Sequence, residues 1–381
     1  MRDAITNVVS LASAHRGRGK AMGQRALAPL LTSFAQHRRQ EGDVFWLKEN
    51  AELLSILAAS GRGVPEAALA VYQPFYDRID TRLVFFPQYY RFFMSIALSL
   101  EALGFRGGKS ALMAQWLVRE GWADAEISDM QRAEARYLIE MAGAEPEHVD
   151  AGLDGRLHRF LSRATTFAVP NRRAAYELTH IVFYLSRYGQ IDPKLPQAAA
   201  RSLANAGTLA FLEQNLDLLA EVCVALHYAR LPIPEGWLAW LRQDAAAIKV
   251  VAGAQGEDDY HTYFVCHWLF ATLGLPSFDQ IYYAGAMMFQ PTPVVQSPLR
   301  GMSQALLALE GARSDDWAAM RKVCVAGLSD GAHEVLCAAE AAVDGFDAFF
   351  ADFARARQFE DVARARELDD VARAREAEAI G

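Results

Sequence analysis

The sequence predicts an all-α fold of helical hairpins with a period of about 43 residues, closed into an (α/α) toroid or curved into an α-solenoid. Three observations predict it. Apolar residues recur at three- and four-residue spacing along nearly the whole chain, which gathers them on helical faces, and β-branched alternation is scarce. Glycines that end helices recur at a near-constant interval. Three of those helices, 85 residues apart, also open alike.

The elements follow in chain order. Residues 1–22 carry the run H-R-G-R-G-K (15–20) and read as a basic N-terminal arm, and 23–350 read as the hairpin domain. Helix starts stand at Asp43, Pro65-Glu66, Ser128-Asp129 and Pro234-Glu235. A short acceptor or a proline suits the first turn, whose N–H groups have no partner within the helix. The stops are Gly61, Gly104, Gly143, Gly189, Gly274 and Gly311, with one further helix, 213–229, ending near Arg230. Glycine is favoured there because the residue just past a helix adopts a left-handed conformation. The intervals between stops are 43, 39, 46, 41, 44 and 37 residues, the size of a helix pair with its turns.

The segments 90–104, 176–189 and 260–274 each begin with Tyr and a polar residue, then run almost entirely apolar to the glycine. A helix apolar on all sides is buried on all sides. The tail, 351–381, differs. D-F-A-R-A-R-Q-F-E, D-V-A-R-A-R-E-L-D and D-V-A-R-A-R-E-A-E form a nine-residue repeat that reads as a charged C-terminal helix. Its Val and Phe positions alternate between faces, so it is a solvated helix or a docking element for a protein partner.

Composition narrows the function. Net charge is −8, which argues against nucleic acid as a partner because phosphates need a basic field. No apolar stretch reaches the length of a membrane span, and no signal peptide is evident, so a cytoplasmic protein is expected. The four cysteines are widely spaced and form no C-x-x-C motif, as suits reduced thiols.

Polar residues within the apolar helices are the candidates for chemistry. They are Tyr90 and Arg91 in 88–103, Tyr176, Glu177 and His180 in 176–188, and Tyr260 and His261 in 260–273. The helix 211–228 adds Asp217 and Glu221, four apart and so on one stripe. Two carboxylates among Leu, Ala, Val and Cys are costly to bury unless something positive meets them. His180, His261 and Asp217 are the expected ligands of one divalent metal (Zn, Fe or Mn), with Glu221 as general base. Tyr176 and Tyr260 would join the catalysis, and Tyr90, Arg91 and Glu177 would hold the substrate. The alternatives are that the carboxylates face solvent and each histidine is a core residue, or that these residues form a polar pocket without metal.

Other signals are weaker. His261 and His267 are six apart, about 240° around a helix, and cannot readily serve one ion. Cys266-His267 resembles the Cys-His pair of the zinc-binding lanthipeptide cyclases. Trp268 stands where those enzymes have glycine, and Cys223 lacks their sequence context, so packing is the expectation. F-R-G-G-K-S (105–110) has glycines at a helix start but no phosphate-loop spacing, and S-D-D-W (314–317) reads as a helix start.

F-F-P-Q-Y-Y-R-F, Y-E-L-T-H-x-V-F-Y, the D-L-L-A-E helix and Y-H-T resemble motifs of uncharacterised bacterial all-helical proteins over roughly 85–275. The architecture is similar to α/α toroids, which include terpenoid cyclases, protein prenyltransferase β-subunits, lanthipeptide cyclases and several glycoside hydrolases. The resemblance implies a fold and no particular activity. The expected function is a metal-dependent enzyme acting on a small molecule or peptide in a central cavity. Its rivals are a non-catalytic helical scaffold for a protein partner and a metal-free pocket for an apolar ligand.

Overall fold

The computed structural model describes residues 27–145, 148, 150–253, 258–291, 296–343 and 345–356. The expected arm, 1–22, and most of the nine-residue repeat lie outside the described residues.

Six helices form the framework: α1 (Val44–Ala59), α2 (Tyr90–Ala102), α3 (Asp129–Met141), α4 (Arg172–Leu185), α5 (Leu216–Tyr228) and α6 (Tyr260–Thr272). Each packs against the next, and α6 packs against α1. Second helices lie between them in the chain. Lys109–Arg119 packs on α2 and α3, Gln197–Leu212 on α4 and α5, and Glu235–Ala247 on α5 and α6. The protein is thus mostly α-helical, with a repeated helix-on-helix arrangement.

The stops explain the repeat. Each framework helix is followed by a left-handed residue: Gly61 (φ +62°), Gly104 (+101°), Gly143 (+78°), Arg187 (+47°, two residues before the expected stop at Gly189), Arg230 (+58°) and Gly274 (+71°). The next N–H then reaches back over the helix end, as in Phe105 to Leu100 O (2.9 Å), Leu231 to Leu226 O (2.9 Å) and Leu275 to Phe270 O (2.8 Å). That bond satisfies a carbonyl the helix itself leaves unpaired. Arg230 shows that the geometry, not the glycine, is what recurs. The expected starts are also present: the Asp43 carboxylate accepts from Phe45 N at 2.8 Å, and Ser128, Pro65 and Pro234 precede helices.

The interval ending at Gly311 does not extend the series. Leu299–Ala308 packs on Trp317–Val325, and the left-handed residue there is Glu310. Two short strands were not expected: β1 (Lys249–Ala252) pairs antiparallel with β2 (Met287–Gln290), in the register Lys249↔Gln290. The last described helix, Phe346–Ala354, spans the expected boundary at 350/351. It buries Phe349, Phe350 and Phe353 against Ala164–Ala168 and Gln197–Leu212, with Asp352 paired to Arg201 at 2.8 Å.

Helix α6 is buried from Thr262 to Phe270, as its apolar sequence requires. Among the described residues no helix is long and apolar enough to cross a membrane.

Candidate metal centre

The packing order α4–α5–α6 brings the sequence candidates together. Asp217 lies in the first turn of α5, whose N-cap Asn215 accepts from Leu218 N. Glu221 follows one turn later on the same face. His180 faces α5 from α4, and His261 faces it from the first turn of α6. One ligand atom from each of Asp217, Glu221 and His261 lies within 4.8 Å of the others, and this is a set that could hold a divalent ion. His180 is not in that set; its Nε2 stands 3.5 Å from Glu221 Oε2. The structure therefore groups one histidine with two carboxylates, where the sequence suggested two histidines with one.

Each ligand atom is held by a neighbour. His261 Nδ1 is 2.9 Å from Asp217 Oδ1, and Tyr176 donates its hydroxyl to Asp217 Oδ2 at 2.7 Å. Thr179 donates to Glu221 Oε2 at 2.5 Å. The other side of His261 faces Glu52 of α1, with Nε2 4.0 Å from Oε1, and Tyr260 donates to Glu52 Oε2 at 2.7 Å. Tyr176 and Tyr260 thus orient carboxylates.

Charge is mutually stabilised here. Burial opposes a charged His261, but Asp217 outweighs it and raises the imidazole to about 10. Burial likewise opposes a charged His180, and Glu221 reverses the balance, so its value rises above the ordinary one. Burial would raise Asp217, yet His261 beside it holds it below the usual carboxylate range.

The substrate-binding candidates divide. Arg91 of α2 is engaged by two carboxylates, Glu134 at 2.7 Å and Glu126 at 3.3 Å, and Tyr90 donates to Glu126 at 2.7 Å. An anion would have to displace these acids to reach the guanidinium. Glu177 stays outside the cluster and pairs with the exposed Arg173 at 3.2 Å. Glu52, Glu126 and Glu134 were not anticipated from the sequence.

The remaining motifs resolve as packing. The His267 ring sits 4.2 Å from that of Tyr263, and its Nδ1 accepts from Phe278 N at 2.8 Å. Cys223 and Cys266 are buried free thiols. At the G-G-K-S helix start, Glu101 takes the place an anion would have, accepting from Ser110 N at 3.0 Å. Asp316 of S-D-D-W caps Trp317–Val325.

Fold and site together define a class: a mostly α-helical repeat protein with a carboxylate–histidine cluster between adjacent helices. Residues 5–356 match the family described as a domain of unknown function (DUF6902), and the chain belongs to that family. The match is longer than the stretch that carried the expected motifs. No curated protein and no solved structure matches the chain.

Proposed function

We propose that the protein is a metal-dependent enzyme on a closed (α/α) ring, with a divalent ion held by Asp217, Glu221 and His261. The convergence of those three ligand atoms carries the reading. The return of α6 onto α1 supports the closed ring. A set of two carboxylates and one imidazole suits Mn²⁺, Fe²⁺ or Zn²⁺ and leaves positions for water and substrate. Bound there, the ion would polarise a substrate oxygen or lower the pKa of a water.

The chain's own residues then have separable parts. Tyr176 and Thr179 fix the carboxylates, as the outer partners of metal ligands do. His180, beside Glu221, is placed to accept or return a proton. Glu52, facing the second nitrogen of His261, orients that ring.

The test is elemental analysis with a stability readout. Protein purified without chelator is expected to carry about one equivalent of Mn, Fe or Zn, and to melt higher after reloading than after chelation. At a free ion concentration of about 100 Kd the gain is about 2.7 kcal/mol. His261→Ala and Asp217→Asn should fold and lose both effects. Unchanged melting of the wild type on adding each ion, with no ion retained, would sink the reading.

A further inference from the structure

A cavity of about 550 Å³, within the ordinary range for ligand sites, is lined by residues of α1 to α4. Its wall is aromatic on one side. Tyr137 of α3, Tyr184 of α4 and Tyr188 just beyond it line the space, with ring centroids 5.2 Å (137–188), 5.8 Å (137–184) and 6.2 Å (184–188) apart. Their hydroxyls have no hydrogen-bond partner among the described residues. Ser55, Ser95 and Ser99 also line it; they are small, and Ser55 bonds to each of the other two, which leaves the space open.

The charge of the lining has one sign. Glu101 and Glu134 contribute to it, and no Lys, Arg or His does among the described residues. Glu101 is already satisfied by Tyr76 and Ser110. Glu134 is not. Its one ion pair among the described residues is with the Arg91 guanidinium, which it shares with Glu126, and His180 of α4 adds a weaker attraction. Burial accordingly raises Glu134 above the usual carboxylate range.

We propose that this cavity binds an alkylammonium ion, with its charge against the tyrosine faces and the Glu134 carboxylate. A ring face attracts a cation through its quadrupole, and desolvation strengthens the attraction. An anion would find only carboxylates, and a wholly apolar ligand would strip water from Glu134, which shares its counter-charge with Glu126. The place is also chemically apt. The His180 ring lies 6.3 Å from that of Tyr184, and its Nε2 is 3.5 Å from Glu221, so one side chain links this cavity's wall to the candidate metal centre. Binding itself requires no metal.

Calorimetric titration of the chelated full-length protein tests this, with choline and n-butylammonium as probes and with butyrate and glucose as controls. Saturable binding of at least one ammonium is expected, with neither control binding. Tyr184→Phe should keep that affinity, because the ring face remains. Tyr184→Leu and Glu134→Gln should each weaken it about tenfold or more, with folding checked by circular dichroism. Should either variant not fold, Tyr137→Leu replaces it. The proposal is overturned if neither ammonium binds, if Tyr184→Leu binds as the wild type does, or if glucose or butyrate is the ligand. None of these outcomes bears on metal retention, so the two readings fail separately.

Discussion

Acid should destabilise this protein through His267, a residue away from the metal candidates. The ring lies in α6 among Tyr263, Phe278 and Phe270, with Nδ1 accepting from Phe278 N and Nε2 buried without a partner among the described residues. Burial, aided by the nearby Arg62, pushes its pKa down to about 3. An unfolded histidine titrates near 6.5, so between these values the unfolded chain binds a proton that the folded one refuses. Stability from His267 is therefore full above about 6.5 and is lost as pH falls, at about 1.4 kcal/mol per unit. From pH 7 to pH 5 the loss is about 2 kcal/mol, a sizeable part of the 5–15 kcal/mol that typical domains possess. The assay is urea unfolding at both pH values for the wild type and His267→Gln, which keeps an acceptor and cannot titrate. The wild type should lose about 2 kcal/mol more than the variant over that range. Equal losses would refute the reasoning, because they would mean that His267 is protonated at no extra cost in the folded state.

Three further predictions rest on individual contacts. Arg38→Ala should cost about 3 kcal/mol or more in unfolding free energy, since the guanidinium, itself buried, bonds Glu49, Asp258 and the Met287 carbonyl, and Arg39 alone would remain on the buried Glu49. Gly207→Ala should lower the melting temperature although alanine favours helix, because a Cβ there would stand 2.3 Å from the Trp237 ring; overpacking of this kind costs about 1–3 kcal/mol. Thr179→Val removes the hydroxyl that donates to the buried Glu221 and should cost about 1–3 kcal/mol, with a smaller loss if a bound ion takes over that carboxylate, as melts with and without chelator would show.

Much of the site was legible because polar residues stand out in apolar helices. Asp217 and Glu221 in α5, His180 in α4 and His261 in α6 were visible for that reason. Glu52 and Glu134 were hidden, since α1 and α3 carry other charges such as Lys48, Glu49, Arg132 and Arg136, among which an inward carboxylate looks ordinary. A signal did exist. Nine residues before the left-handed stops of α1, α2, α3 and α5 stand Glu52, Ser95, Glu134 and Glu221, while α6 has Val265 and His180 of α4 is two residues out of step. Thirteen before the stops of α1, α2, α5 and α6 stand Lys48, Arg91, Asp217 and His261, with Met130 in α3 and Tyr176 of α4 again two residues out of step. Four residues are about one helical turn, so these are two successive layers on one helix face. Aligning the hairpins on their stops, instead of reading each helix alone, would have placed the missing carboxylates. The strands had no such signal. Four residues are too few to show a period, and β1 finds its partner only across the whole of α6.

The separations bridged by Arg38 bear on how the protein is assembled as it is made. Its bonds to Asp258 and to Met287 span 220 and 249 residues, whereas Tyr176–Asp217, Thr179–Glu221 and Asp217–His261 span 41, 42 and 44. Short separations close early because less chain entropy is lost in forming them. The carboxylate–histidine cluster needs only three consecutive framework helices, while the clasp at Arg38 must wait until β2 has been synthesised. A growing chain would therefore bring Asp217, Glu221 and His261 together before Arg38 reaches β2, so assembly of the cluster and closure of the clasp become separate events in time.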